Sequence, residues 1–347
     1  VREWVWNATG QHRWIMGGSW KDPAYMFNMR NDVPPWDRSE YNGFRCMIAE
    51  TPLEPFMNDA VELKQRDYSD SEPVSQDVLA AYKEQLTVSH VELNAETKIR
   101  RDSDHYWREE RIVMDAGYDD QKIPVYCFIP MHKVAPYDPV IVFPGLQGWM
   151  ADHPLSEAPE VERELMFESL VKSGRAAIWP IFDGSYERFN DYASKRSREY
   201  YEYRTSQIKH WRQELATVID FLESRDDFSG DRVGFFGTSF GSTYTWPLLA
   251  LEKRIKTAIM VSGGVPQHKE PGIADSFNYL PEVNQPILLL HGKFDPIYTR
   301  PLIEPVDRYL GGYSKRVLFD AGHWPLPRSD YIRETTDWLD TYLSSDE

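Results

Sequence analysis

Cysteine is almost absent from this 347-residue chain, which has only Cys46 and Cys127. Two cysteines cannot build a disulfide framework or a four-cysteine zinc site, and they favour a reducing, cytoplasmic compartment. Basic residues are also short: 39 Lys and Arg stand against 55 Asp and Glu, for a formal net charge of −16. That balance argues against a nucleic-acid partner, because phosphate backbones select clustered Lys and Arg. No uninterrupted apolar run approaches the ~18 residues of a membrane helix, so no membrane span is expected. The chain opens on Val1 without a charged-then-apolar leader, and so reads as a processed or excised product that has lost an upstream domain. What it does have is 41% hydrophobic residues, enough for a large core and too many for low-complexity disorder.

Three stretches differ in composition. Residues 1–55 are rich in Trp, Gly, Asn and Pro and predict a small loop-rich extension held by aromatic packing. Residues 56–109 read as a polar connector with a leading helix over Ser75 to Leu86. From Glu110 to the end, strand candidates alternate with helices. The strands are Glu110–Asp115, Ile123–Ile129, Val140–Phe143, Ala176–Phe182, Arg232–Phe236, Thr257–Val261, Pro286–Leu290 and Arg316–Phe319. Several are short runs apolar throughout, as strands buried on both faces require. A helix over Ser206 to Ser224 places Ile208, Trp211, Leu215, Val218, Ile219 and Leu222 on one face, and another over Ser329 to Leu343 has Ser329 as its N-cap candidate. This alternation predicts an α/β fold with a doubly wound, mostly parallel sheet.

Gly237-Thr238-Ser239-Phe240-Gly241 follows a buried strand and precedes the apolar stretch Tyr244 to Leu251. Strand, sharp turn and helix together form the geometry that presents a nucleophilic serine at a helix terminus. Pro247 should break that helix near Thr243. A serine hydroxyl needs a base and an acid, which should follow at the ends of later strands. Asp295 ends the loop after the strand Pro286–Leu290, and His323 lies in the loop after Arg316–Phe319. His291 is a rival base and Asp320 a rival acid. Phe240, next to the nucleophile, and Leu146, in the loop Pro144-Gly145-Leu146-Gln147-Gly148-Trp149, are the candidate donors to an oxyanion.

Residues 110–343 resemble the α/β-hydrolases, and among them the dienelactone-hydrolase-like and prolyl-oligopeptidase-like esterases. The Pro-Gly loop, the Gly-Thr-Ser-Phe-Gly turn, His-Gly-Lys-Phe-Asp and Ala-Gly-His-Trp-Pro carry the similarity. The resemblance implies a serine carboxylesterase acting on a small-molecule ester without metal or organic cofactor, with Ser239 where dienelactone hydrolases proper carry cysteine. Glu3-Trp4-Val5-Trp6-Asn7, Gly17-Gly18-Ser19-Trp20 and Asn42-Gly43-Phe44-Arg45-Cys46 resemble the C-terminal end of the formylglycine-generating enzyme fold. Its redox cysteine pair has no counterpart, so a packing remnant is implied rather than an oxidase.

Between the strand ending at Phe182 and the following helix, residues 183–204 interleave Tyr186, Phe189, Tyr192, Tyr200, Tyr201 and Tyr203 with Arg188, Lys195, Arg196 and Arg198. Such an insert can be a solvated face or an aromatic wall over the substrate. Arg188 and Tyr186 are its candidate substrate-binding residues, with Gln147 and Trp324 on the flanking loops. A serine peptidase or amidase of the same fold, and a non-catalytic binding or regulatory module, remain as alternatives.

Overall fold

The computed structural model describes residues 2–22, 27, 30–61, 65–102, 106–151, 153–157, 167–190 and 197–343. Four short strands come first: β1 (Arg2–Thr9), β2 (His12–Met16), β3 (Arg30–Val33) and β4 (Asn42–Gly43). They pair in the order β3-β2-β1-β4, so the opening stretch holds a sheet where loops dominate the expectation. Trp4 and Trp6 of β1 alternate in a segment that is half-buried, and only Ile15 of β2 is fully covered. Too few apolar residues share one face for the alternation to stand out in sequence.

Nine further strands form one sheet: β5 (Glu96–Asp102), β6 (Trp107–Asp115), β7 (Lys122–Pro130), β8 (Pro139–Phe143), β9 (Ala176–Pro180), β10 (Val233–Thr238), β11 (Ile255–Val261), β12 (Ile287–Gly292) and β13 (Ser314–Phe319). Their order is β13-β12-β11-β10-β8-β9-β7-β6-β5. The six strands β8 to β13 are mutually parallel, and β5, β6 and β7 close one side antiparallel. Every strand expected from sequence is present. The sheet begins at Glu96, however, so residues 96–109 extend it rather than linking to it. β5 reads Glu-Thr-Lys-Ile-Arg-Arg-Asp, and with so little apolar surface its pairing is set by β6 rather than by its own pattern.

The helices are α1 (Gln76–Gln85), α2 (Ser197–Glu223), α3 (Phe240–Tyr244), α4 (Trp246–Leu251), α5 (Arg300–Tyr309) and α6 (Arg328–Tyr342). Alternate residues of each central strand face opposite layers, as the pleat demands. Ile141 and Phe143 join a core with Ile208, Trp211, Leu215 and Ile219 of α2. Val140 and Val142 join the opposite core with Trp338 and Leu339 of α6. The sheet is thus covered on both faces, which gives the α/β-hydrolase fold with a mixed, largely parallel sheet. Two helix boundaries differ from expectation. α2 starts at Ser197, because Tyr, Glu and Arg in its first turns obscure the 3.6-residue period. α6 is capped by Pro327 and Ser329 lies inside it, since the fixed proline φ of −56° starts the first turn earlier. Pro247 does break the helix after the Gly-Thr-Ser-Phe-Gly turn: α3 ends at Tyr244, and Pro247 sits in the first turn of α4. Among the described residues no helix is long and apolar enough to cross a membrane.

Candidate active site

The C-terminal ends of β8, β10, β12 and β13 lie along one edge, because these strands are parallel. Ser239 terminates β10 with φ +48° and ψ −107°, in the left-handed region that a non-glycine residue rarely adopts. Such backbone costs on the order of 1–3 kcal/mol and persists where its surroundings over-determine it. Here the Ser239 N–H donates to the Val261 carbonyl at 2.7 Å. Gly241 leaves no room for a side chain: a Cβ there would sit 2.6 Å from the Phe143 carbonyl oxygen and 2.7 Å from that of Pro144. The turn after β10 and the loop after β8 are therefore pressed together at this glycine.

Ser239, Asp295 and His323, separated by up to 84 positions, meet in one hydrogen-bonded row. His323 Nε2 lies 2.9 Å from Ser239 Oγ, and its Nδ1 lies 2.8 Å from Asp295 Oδ2. Asp295 Oδ1 accepts the backbone N–H groups of Ile297 at 2.8 Å and Tyr298 at 3.0 Å, an Asx-type turn that fixes the carboxylate. The two loops are laced by Lys293 N–H to the Phe319 carbonyl at 2.8 Å and Phe294 N–H to the Ala321 carbonyl at 3.0 Å. The rival acid Asp320 instead pairs with Lys293 at the surface, 2.8 Å away.

His291, the rival base, is buried inside β12 with Arg316 Nη1 3.3 Å from its Nδ1. Burial first, and the Arg316 charge second, hold its pKa down to about 3. An unfolded chain binds that proton near the ordinary value of ~6.5. Between those two values the unfolded state carries more protons, so stability falls as the pH drops. For this group alone the expected slope is ~1.4 kcal/mol per pH unit. Urea unfolding of wild type and His291→Gln between pH 6 and pH 4 measures it, and equal slopes for the two proteins would remove His291 as the cause.

Leu146 opens a 3-10 turn over Leu146–Trp149, directly after Gly145, and Phe240 is the first residue of α3. Gln147 is exposed on that turn, and Trp324 follows His323 with its ring partly exposed. Tyr186 is different: it is 1% exposed, packs edge-on against Trp179, and lies beneath Gly148. It supports the loop after β8 from below and presents no surface to a ligand.

Arg188 is also reassigned. Its Nη1 donates to the Ile181 carbonyl at 2.8 Å and to Glu214 of α2, and its Nη2 donates to the Tyr118 hydroxyl at 2.7 Å. With the Arg188 side chain 10% exposed and that of Glu214 0% exposed, this is a buried structural ion pair rather than a substrate clamp. Removing one partner strands the other charge, so Arg188→Ala should lose ~3 kcal/mol or more of stability. All esters should then be affected alike. A melting curve beside kcat/KM on polar and alkyl esters checks this, and a loss confined to polar esters would restore the clamp.

Of the remaining insert residues, Tyr192, Lys195 and Arg196 lie outside the described residues. Tyr200 and Tyr201 sit on α2 and donate to Glu270 at 2.9 Å and to the Lys269 carbonyl at 3.3 Å. Two residues that the sequence reading missed support His323. Tyr298 stacks on its ring with centroids 5.9 Å apart, and Ser262 Oγ donates to its backbone carbonyl at 2.7 Å. The Asp-Pro-Ile-Tyr turn was a readable signal for Tyr298, whereas nothing in the sequence marks Ser262.

Comparison with known proteins agrees with this architecture. The acetyl xylan esterase 1 of Thermoanaerobacterium sp. JW/SL YS485 superposes with a TM-score of 0.60 at 13% identity, covering 78% of this chain and 95% of that one. A cold-adapted esterase from an Arctic intertidal metagenomic library does so with a TM-score of 0.57 at 19% identity, covering 73% and 100%. At such identities the likeness is one of fold. YtaP of Bacillus subtilis (strain 168), which carries a hydrolase designation, is 26% identical over 169 residues. That match spans 46% of this chain and only 56% of YtaP. Residues 123–320, from β7 through β13, match a single family over more than half the chain. This chain belongs to the dienelactone hydrolase family.

Proposed function

We propose that the chain is a serine carboxylesterase that works through an acyl-enzyme on Ser239. The observation that carries this reading is the unbroken row Ser239 Oγ, His323 Nε2, His323 Nδ1 and Asp295 Oδ2, with contacts of 2.9 and 2.8 Å. A hydroxyl with a base at hydrogen-bond distance can attack an ester carbonyl while that base takes its proton. Asp295 keeps the proton on Nδ1, so that Nε2 faces Ser239 unprotonated. The tetrahedral oxyanion would draw on the backbone N–H groups of Phe240 and Leu146. Collapse of the intermediate breaks the ester C–O bond, and His323 returns the proton to the departing alcohol. Water, activated by the same imidazole, then releases the acid.

Family membership supports hydrolysis in general, and the fold neighbours named for esterase activity favour esters over amides. A fluorophosphonate label tests the reading: wild type should label at Ser239 and Ser239→Ala should not. A wild type that stays unlabelled would favour the binding-module alternative. A panel of p-nitrophenyl esters run beside peptide amides separates esterase from peptidase.

Residues 1–55 we hold to be a separate structural piece and, on the formylglycine-enzyme likeness of their motifs, a remnant of that fold; the aromatic packing expected of it is not found among the described residues, since Trp6, Trp20, Trp36 and Phe44 are largely exposed. The separateness is supported by strand pairing: among the described residues β1 to β4 pair only with one another.

A further inference from the structure

The ring of Phe240, the residue after Ser239, is packed against two buried donors that lack acceptors among the described residues. Arg204, on α2, is 2% exposed. Its guanidinium carbon lies 5.9 Å from the Phe240 ring and 4.6 Å from that of Tyr244. Nε donates to Glu270 at 3.2 Å and Nη1 to Gln207 Oε1, but Nη2 has no acceptor among the described residues. Trp149, in the turn after β8, has its ring 4.8 Å from that of Phe240. It is 1% exposed, and its indole N–H likewise has no acceptor among the described residues. Gln207, which accepts from Arg204 Nη1, and Trp149 both face Gly184, where a Cβ would lie 2.9 Å from Gln207 Nε2 and 3.4 Å from Trp149 Cδ1.

Orphaned buried donors cost free energy that an incoming acceptor returns. Both groups here are donors, so the complement is an acceptor. Charge narrows the choice. Glu270, with its side chain 1% exposed, already neutralises Arg204 and also accepts the Tyr200 hydroxyl at 2.9 Å. A second carboxylate would face Glu270 across a single guanidinium, whereas a neutral oxygen would not. Ser239, Phe240 and Tyr244 are each partly exposed, so a substrate on Ser239 borders this cluster.

We infer that the cluster is a specificity subsite, in which Arg204 Nη2 and Trp149 Nε1 receive a neutral ether, keto or hydroxyl oxygen carried by the acyl group. The inference rests on the serine-esterase reading of Ser239. It predicts a preference for oxygen-bearing acyl groups over their hydrocarbon isosteres.

The matched probes are p-nitrophenyl methoxyacetate against the butyrate, and p-nitrophenyl 3-methoxypropionate against the pentanoate. Each pair shares a leaving group and nearly a shape, and comparing protein variants cancels the intrinsic reactivity of the esters. Arg204→Lys keeps the charge beside Glu270 and removes Nη2. The kcat/KM ratio of ether to hydrocarbon ester should fall about tenfold in one pair or both, the worth of roughly one hydrogen bond to a charged group. Trp149→Phe keeps the aromatic packing and removes only the N–H. It should lower the same ratio severalfold, and it carries the test should Arg204→Lys fail to fold. Ratios unchanged in folded variants, with wild type still labelled by fluorophosphonate, would overturn the subsite and leave the esterase standing. A wild type that does not label would overturn the esterase reading and the subsite with it.

Discussion

Ser239→Ala is expected to lower kcat for ester hydrolysis by about a millionfold while the protein keeps its fold. The magnitude follows from what the hydroxyl does. In the proposed mechanism no acyl-enzyme forms without it, and His323 has no proton to take from the nucleophile; loss of a nucleophile in a triad that acts as a unit typically costs on that order. The fold should survive for a local reason. Ser239 holds its place through a backbone N–H to the Val261 carbonyl at 2.7 Å, a bond that alanine retains. Its side chain bonds only with His323 among the described residues. Alanine does inherit the positive φ of +48°. Serine bears the same strain, so the melting temperature should change little. Steady-state hydrolysis of p-nitrophenyl acetate, with circular dichroism as the folding control, makes the measurement. Turnover within a hundredfold of wild type by a folded Ser239→Ala protein would end the nucleophile assignment.

Much of this site was legible because parallel strands buried on both faces leave an unambiguous trace. Val-Ile-Val-Phe, Val-Gly-Phe-Phe and Ile-Leu-Leu-Leu are apolar throughout, so each strand end, and the loop leaving it, can be placed from the sequence. Once the ends are placed, parallel pairing brings Ser239, Asp295 and His323 to one edge. Residues whose partners are set by tertiary packing left no such trace. Arg188 reads as a spare cation among aromatics until Glu214, on the buried face of α2, is seen to hold it. Arg204 looks like one charge among many in a polar helix start, and Glu270 lies 66 positions away in a loop. The same absence of pattern hid β5, which alternates charges and pairs because β6 offers an edge.

Asp295→Asn is expected to lower kcat/KM about ten-thousandfold, the scale seen when a triad carboxylate becomes an amide and the histidine adopts the wrong tautomer. The direction follows from how Asp295 is held. Its Oδ1 accepts two backbone N–H groups, from Ile297 at 2.8 Å and Tyr298 at 3.0 Å. An asparagine must keep its carbonyl oxygen there, since an amide nitrogen would set donor against donor. The amide nitrogen is then turned toward His323 Nδ1, where Asp295 Oδ2 now lies 2.8 Å away. An N–H donor at that place favours the imidazole with Nδ1 bare and the proton on Nε2. Nε2 would then donate to Ser239 Oγ instead of accepting from it, and the base would be lost with the geometry intact. Asp320→Asn supplies the control, because Asp320 touches Lys293 at the surface and should cost less than threefold, about what a surface ion pair is worth. Kinetics of both variants on one ester decide between the two acids. Comparable losses in the two, or a loss under tenfold for Asp295→Asn, would detach Asp295 from His323 and require the imidazole to be oriented by Ser262 and Tyr298 instead.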